Sequence, residues 1–337
     1  MKKISAIVVN WNGKDVLLDC LESLSNQDYQ NLEIIVSDNG SEDGSIEAIK
    51  QDYPQVLLLE NGKNLGFGPA VNKGLEIASG DYFIFLNNDL YLKANSLREL
   101  ANMLDAKHDT GAAIPKILYY EKRNIINSFG VLVHYTSICC PHLVDQTDPK
   151  NLESLETACG GIFMFRREIY ESVGSFDPDL FLYHEDHDLS WRIRLYGWKL
   201  RTNPKAEIYH HYHFNKGVFK YYSSEKNRLY LLLKNLELKT LFLISPALLL
   251  IEIAQLAHAI SNGWFFLKLK SYAEIMDVLY RILVKRRKLQ RSRKVPDREI
   301  FRLHEGKLKI SGIQSNLLDL ILNPLLNSYW KIIRKWI

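Results

Sequence analysis

The 337-residue sequence reads as an α/β protein with a mostly parallel central sheet, followed by a helical, basic C-terminal region. Three observations point there. Short apolar runs rich in β-formers alternate with helical patterns through the first half; glycines punctuate the turns between them; and the run Tyr82-Phe83-Ile84-Phe85-Leu86 stops abruptly at Asn87-Asn88-Asp89. A buried parallel strand has that pattern when its carboxyl end carries polar groups. In open α/β sheets such ends are where ligands bind.

Each element has its own justification. Strands are expected over Ile4–Asn10, Leu32–Ser37, Val56–Leu59 and Tyr82–Leu86, with helices near 14–26, 44–51 and 68–79 between them. Gly13, Gly40, Gly44, Gly62 and Gly80 mark the turns. Alternation of this kind puts helices on both faces of the sheet. Shorter strands near 112–117, 128–136 and 158–165 would extend it into a mixed sheet. A further helix begins at Glu185, with Leu189, Ile193 and Tyr196 at i, i+4 and i+7.

Farther on, residues 240–261 are strongly apolar. Ser245-Pro246 resembles an N-cap with proline at the first helical position, and Asn262-Gly263 resembles a stop. A helix from Pro246 to Ile260 would be about 22 Å long, short of a hydrocarbon core of about 30 Å. Glu252, Gln255 and His258 add polar groups to it. An in-plane or partly inserted helix is therefore expected over a full span.

Composition sets the outer limits. A hydrophobic content of 47% excludes a disordered chain. The net charge of +4 conceals an asymmetry: residues 1–220 carry 22 Lys/Arg against 30 Asp/Glu, and residues 221–337 carry 21 against 9. Eight of these cations fall in residues 281–294, which hold no acid. Beside Trp264-Phe265-Phe266 and Leu279-Tyr280, the run looks like an interfacial anchor for an anionic membrane surface. The same aromatic and basic composition recurs over 327–337. Nucleic acid is the competing partner, but no recognised binding motif accompanies the charge. Cys20, Cys139, Cys140 and Cys159 show neither zinc-site spacing nor scaffold density, and the N-terminus runs at once into a strand. Reduced thiols and a cytoplasmic location follow as expectations.

The loops at the strand ends carry the candidate chemistry. After the first strand comes Asn10-Trp11-Asn12-Gly13 where a dinucleotide-binding protein would show G-x-G-x-x-G, which argues against a nicotinamide enzyme. Asp38 opens the turn Asp38-Asn39-Gly40-Ser41; a capped turn accounts for the serine and glycines, while a carboxylate at that place can also accept the ring N–H of a uracil or thymine. Asn64-Leu65-Gly66-Phe67-Gly68, with Asn72 beyond it, gives a helix start where backbone can approach a phosphate. Asp89 can hold a divalent cation, and the cation a diphosphate. Downstream, His184-Glu185-Asp186-His187-Asp188 packs three acids into five residues, more than a helix start requires. One of them can face the cleft as a general base.

In order, Val8-Val9-Asn10-Trp11-Asn12, Asp38-Asn39-Gly40-Ser41, Asn64-Leu65-Gly66-Phe67, Leu86-Asn87-Asn88-Asp89, Gly160-Gly161 and Glu185-Asp186-His187-Asp188-Leu189 resemble glycosyltransferase family 2, particularly its rhamnosyltransferase-like branch. The similarity covers roughly residues 1–235. It implies a GT-A fold there, the fold of nucleotide-diphospho-sugar transferases, with residues 236–337 as a membrane-associating appendage. It also implies a nucleotide-diphosphate sugar donor, a divalent cation (Mg2+ or Mn2+), and inverting transfer to a glycan or lipid-linked acceptor at the cytoplasmic membrane face. Residue by residue, it would place Asn10 and Asp38 at the nucleotide, with Asn64, Gly66, Asn72 and Asn88 on the donor side. Asp89 would bind the metal, and Asp186 would be the base with Glu185 as its neighbour. Where the family commonly has D-x-D, the first position here is Asn87, whose amide oxygen coordinates without adding charge. A further metal-side ligand is expected from Tyr209-His210-His211-Tyr212-His213, with His210 the best match and His211 and His213 as alternatives.

Two other classes compete. A sugar nucleotidyltransferase would carry a glycine-rich loop with a basic residue after the first strand, which Asn10-Trp11-Asn12-Gly13 does not supply. A non-catalytic membrane-bound sugar-nucleotide binder would lack a base, whereas both Asp89 and Asp186 are present.

Overall fold

The computed structural model describes residues 1–149, 151–212, 217–309, 316 and 318–337. The chain forms two compact units, one of residues 1–131, 141–193 and 198–214, the other of residues 132–140, 194–197 and 215–337.

The first unit opens with β1 (Ile4–Asn10), α1 (Lys14–Ser25), β2 (Leu32–Asp38), α2 (Ser45–Asp52), β3 (Leu57–Glu60), α3 (Phe67–Ile77) and β4 (Tyr82–Asn87). These boundaries follow the alternation in the sequence to within two residues. Then come β5 (Leu90–Leu92), α4 (Ser96–Ala106), β6 (Thr110–Tyr119) and β7 (Ile126–Ser128). The chain passes through β8 (Val131–His134) and β9 (Cys139–Pro141), then forms β10 (Met164–Arg166), α5 (Arg167–Val173), α6 (Glu185–Leu195) and β11 (Lys199–His210).

Among the described residues, the main sheet runs β3-β2-β1-β4-β10-β6-β11-β5, with β7 beside β6. β1 to β4 are mutually parallel, β10 is antiparallel to both of its neighbours, and β5 is antiparallel to β11. Alternate residues of β4 enter two cores: Tyr82, Ile84 and Leu86 pack with α1 and α4, while Phe83 and Phe85 pack with α3, α5 and α6. A strand buried on both faces must read as a continuous apolar run, and this one does.

Two expected strands differ from the structure. The stretch 128–136 breaks at Gly130, which adopts φ +77° and whose Cβ would lie 2.9 Å from Thr157 Oγ1, so it yields β7 and β8 instead of one strand. The stretch 158–165 joins the ladder only from Met164. Gly160 is instead pressed against Ile114, where a Cβ would come within 2.7 Å of the side chain.

The second unit contains α7 (Val218–Asn235), α8 (Leu238–Ser261), α9 (Phe265–Ser292), α10 (Asp297–Phe301), β12 (His304–Glu305) and α11 (Asn323–Ile333), the last preceded by a π-helical turn at Leu318–Leu322. β12 joins β8 and β9 in a small sheet. Helix α8 corrects the sequence expectation. It begins at Leu238, eight residues before Pro246, so the proline lies inside it and Ser245 is no N-cap. At 24 residues it is about 36 Å long. Among the described residues it is the one helix long and apolar enough to cross a membrane by length and composition. Its end is as expected, with Gly263 at φ +74°.

Candidate active site

The nucleotide side is built where β1 and β2 end together, Asn10 paired in register with Asp38. Both are buried. Asn10 Nδ2 donates to Asp38 Oδ2 at 2.8 Å, and Ser41 donates its hydroxyl to Oδ2 at 2.7 Å and its backbone N–H to Oδ1 at 2.8 Å. The carboxylate is thereby fixed, with acceptor capacity remaining on Oδ1. Asn88, in the turn after β4, donates to Asn10 Oδ1 at 2.7 Å. One hydrogen-bonded chain thus links the loops after β1, β2 and β4.

Asn64, Gly66 and Asn72 serve a neighbouring clamp. Asn64 Oδ1 accepts from the Gly66 N–H at 2.9 Å, and Asn39 Nδ2 donates to Gly66 O at 3.1 Å. Gly66 adopts φ +88°, and a Cβ there would lie 2.3 Å from Phe181 O. Asn72 donates to Phe176 O at 2.9 Å and accepts from Phe176 N at 3.0 Å. Both amide atoms of Asn72 therefore hold the loop between α5 and α6. The glycine turn, read in the sequence as a phosphate approach, is occupied at Gly66 by the backbone of Phe181.

The metal-side residues meet at the end of β4. His210 Nε2 lies 3.3 Å from Asp89 Oδ2, and His210 Nδ1 lies 3.0 Å from Asn127 Oδ1. With Nδ1–H given to Asn127, Nε2 and the carboxylate oxygen face each other as acceptors unless a proton or a metal cation stands between them. Asp89 Oδ1 is buried and meets no hydrogen-bond partner among the described residues. These residues fit a divalent cation: an orphaned carboxylate oxygen beside an oriented imidazole. The His211 ring stacks on Tyr120 at 3.5 Å and its Nε2 lies 3.7 Å from Asp19 Oδ2, while its backbone N–H donates to Asp89 O at 2.9 Å. His213 lies outside the described residues. Asn87 ends β4 beside Val9 of β1 and shares the parity of Phe83 and Phe85.

The acids of α6 divide by role. Asp188, fully buried, accepts from Arg192 Nε at 2.8 Å, and Arg192 carries its other nitrogens to Val173 O at 3.1 Å and Ser175 O at 2.7 Å. Asp188 thus anchors the turn after α5. Glu185 is buried, with Oε2 unpartnered among the described residues. Asp186 is half-buried; its Oδ1 accepts from the His187 N–H at 2.8 Å, and its Oδ2 lies 3.7 Å from where a Cβ on Gly161 would be. Burial raises the pKa of both Glu185 and Asp186, and the Asp186 charge raises Glu185 further. Tyr183 and His184, just before the helix, are both held at positive φ, +68° and +66°. Such backbone persists only where its surroundings fix it, and it clusters at functional sites.

The reversal of β10 brings the two halves together. Because β10 runs antiparallel to β4 with Met164 opposite Ile84, its upstream end lies at the carboxyl end of β4. Phe163 and Phe85, with ring centroids 4.6 Å apart, confirm that alignment beyond the ladder. Gly161, and with it Asp186, therefore stands at the sheet end that carries Asn87-Asn88-Asp89. Three supporting residues escaped the sequence reading: Asn127, which orients His210; Asn39, which braces Gly66; and Arg192. Only the last had a local signal, its i, i+4 spacing from Asp188.

This architecture is the GT-A fold. A crystal structure of GalNAc-T7 with UDP, GalNAc and Mn2+ superposes with a TM-score of 0.56 at 19% identity, over 69% of this chain and 48% of that one. Staphylococcus aureus TarS superposes at 0.50 and 17% identity, over 71% and 41%. The chain spans less than half of either. The profile of Glycosyl transferase family 2 matches residues 5–174. The N-acetylglucosaminyl-diphospho-decaprenol L-rhamnosyltransferase of Mycobacterium tuberculosis is 30% identical over 217 residues, 57% of this chain and 70% of that protein. An Escherichia coli UDP-Glc:alpha-D-GlcNAc-diphosphoundecaprenol beta-1,3-glucosyltransferase is 27% identical over 163 residues, 45% and 64% of the two chains. The chain belongs to glycosyl transferase family 2, in a rhamnosyltransferase-like branch, and is a glycosyltransferase.

Proposed function

We propose that this enzyme moves a sugar from a nucleotide-diphosphate donor to a hydroxyl of a lipid-linked glycan acceptor, with inversion at the anomeric carbon, at the cytoplasmic face of a membrane. The observation that carries the reading is the sheet end where an Asp89 oxygen without a partner among the described residues and the Glu185–Asp186 pair stand together. Asp38 would accept the ring N–H of the base on its remaining Oδ1 capacity, held still by Asn10 and Ser41. A divalent cation, Mg2+ or Mn2+, would be held by Asp89 and His210, with Asn87 as a further candidate ligand, and when bound it neutralises the leaving diphosphate.

Asp186 takes the proton of the incoming hydroxyl. Glu185, the more buried acid, stays protonated beside it, so one carboxyl of the pair is charged and the other neutral. Two carboxyls pushed apart in this way are suited to separate tasks. The acceptor class is supported by two relatives whose names carry a polyprenyl-diphosphate acceptor, and rhamnose as the donor sugar by one of them. Membrane association is supported by the apolar length of α8.

Screening nucleotide sugars for cation-dependent hydrolysis, followed by transfer to a polyprenyl-diphosphate sugar, tests the reading. It predicts hydrolysis that stops with chelator and a product of inverted configuration. A retained anomeric configuration, or turnover indifferent to chelator, would refute it.

A further inference from the structure

Helices α8 and α9 form a hairpin joined by the three residues Asn262-Gly263-Trp264. α9 packs along α7, and α8 packs against α9 and α11. Arg228 of α7 pairs with Glu252 of α8; Lys268 of α9 pairs with Glu225 of α7 at 3.0 Å and with Glu252 at 2.9 Å; and Gln255 accepts from Lys268 at 2.7 Å. Two of the three polar residues that made α8 a poor spanning segment in the sequence, Glu252 and Gln255, are thus engaged by cations of α7 and α9, while His258 stays exposed beside Asn262 near the helix end.

The outer side is different. On α8, Leu238, Phe242, Leu249, Ile253 and Ile260 are exposed. They fall at i, i+4, i+11, i+15 and i+22, one stripe about 60° wide at 100° per residue. On α9, Phe266, Leu269, Met276, Tyr280, Leu283 and Val284 are exposed along one face. That face continues into Arg287, Lys288 and Arg291, which line a groove with Tyr280, Leu283 and Val284. Each stripe lies on the opposite side of its helix from the buried residues, Thr240, Ile244, Ala247 and Ile251 in α8 and Ser271, Ile275, Ile282 and Leu289 in α9, and the three-residue connection keeps the two helices adjacent.

We propose that this outer face of the α8–α9 hairpin is a bilayer-docking surface, lying in plane, with its apolar stripes among the acyl chains and Arg287, Lys288 and Arg291 on anionic lipid phosphates. The charge pattern selects the occupant: an apolar band bordered by cations on one side matches a leaflet with anionic headgroups. Spanning is disfavoured by the inner face, because a helix crossing the core would withdraw Glu252 and Gln255 from Arg228 and Lys268. The proposal deepens the membrane reading above and rests on it.

Flotation of the full chain with phosphatidylglycerol-containing vesicles, and with pure phosphatidylcholine vesicles, tests the surface. The parent should float with the first at low salt. The triple substitution Arg287→Gln, Lys288→Gln, Arg291→Gln should lower partitioning on the order of 100-fold, at about a factor of five per charge. Leu249→Ser with Ile253→Ser and Leu283→Ser should lower it at least as far. All these side chains are exposed, and an unchanged thermal midpoint confirms that the variants fold. Absence of parent binding, or binding indifferent to both variants, overturns the proposal. So does resistance of the parent to alkaline carbonate, the mark of a spanning helix. A dimer in vesicle-free solution that the serine variants convert to monomer, with vesicle binding unaltered, would assign the face to a second copy. Cation-dependent donor hydrolysis without vesicles reports on the transferase independently, so failure of docking and failure of the catalytic reading are separable.

Discussion

Asp186 is half-buried beside a buried Glu185 whose Oε2 meets no partner among the described residues, and the difference governs how the enzyme should respond to substitution and to pH. Asp186→Asn is expected to lower kcat by about 10²–10⁴-fold with donor KM little changed, as steady-state kinetics would show. Because burial raises the Asp186 pKa, and the base must be ionised, kcat/KM should climb with pH through a midpoint above the ordinary carboxylate value of about 4. A pH–rate profile already flat at pH 5 would contradict that cause. On the donor side, Asn127→Ala should raise the cation concentration needed for half-maximal activity by about 10- to 100-fold, since it frees the imbalanced His210 ring to turn. Asp38, Asp89 and the α6 acids were legible as residues at strand and helix ends. Asn127 was not, because it meets His210 across 83 positions of sequence with no local pattern between them. The crowding of acids before α6 overstated the chemistry: Asp188 answers to Arg192 and holds a turn.

At the scale of elements, the loop between α5 and α6 is set by the turn before α3. Gly66→Ala must place a Cβ on Phe181 O and force a left-handed alanine, so a loss of more than about 1–2 kcal/mol in thermal unfolding is expected, with a raised donor KM. A milder Asn72→Ala would release Phe176 without the clash. The regular first half was read from hydrophobic period and glycine punctuation alone, because β1, β2 and β4 are largely buried runs of six or seven residues and β1, β2 and β3 are each followed by a crossover helix. β10 was misjudged because its three residues owe their place to β4 and β6, not to local propensity. Helix α8 was begun too late for a related reason. Ser245-Pro246 has the composition of a helix start, but packing of Thr240 and Ile244 carries the helix through it.

At the scale of the molecule, the strand order 3-2-1-4-10-6-11-5 was beyond sequence reading, since its outer half is assembled out of chain order. The second unit has its own determinants. Arg228, Lys268, Glu225 and Glu252 neutralise one another in its interior, and Lys268→Met, which leaves two acids to share Arg228 and one negative charge uncompensated, should cost about 3–5 kcal/mol in denaturant unfolding. His134 and His304 are buried on the neighbouring strands β8 and β12, and burial pushes both imidazoles down to about 3. The folded pKa is below the unfolded value of about 6.5, so stability is complete above that pH and lost as pH falls toward 3, at about 1.4 kcal/mol per unit for each histidine. Thermal midpoints measured from pH 7 down to pH 4 should therefore fall steadily.

The reversed strand β10 also has a consequence for synthesis. Strands β1 to β4 can pair as soon as they leave the ribosome, but β4 keeps one open edge until residues 164–166 arrive, 77 positions after it ends. Through that interval an aromatic strand lies uncapped, a template for pairing with other chains. Pauses in translation between these points should be the moment at which the nascent enzyme most needs a chaperone.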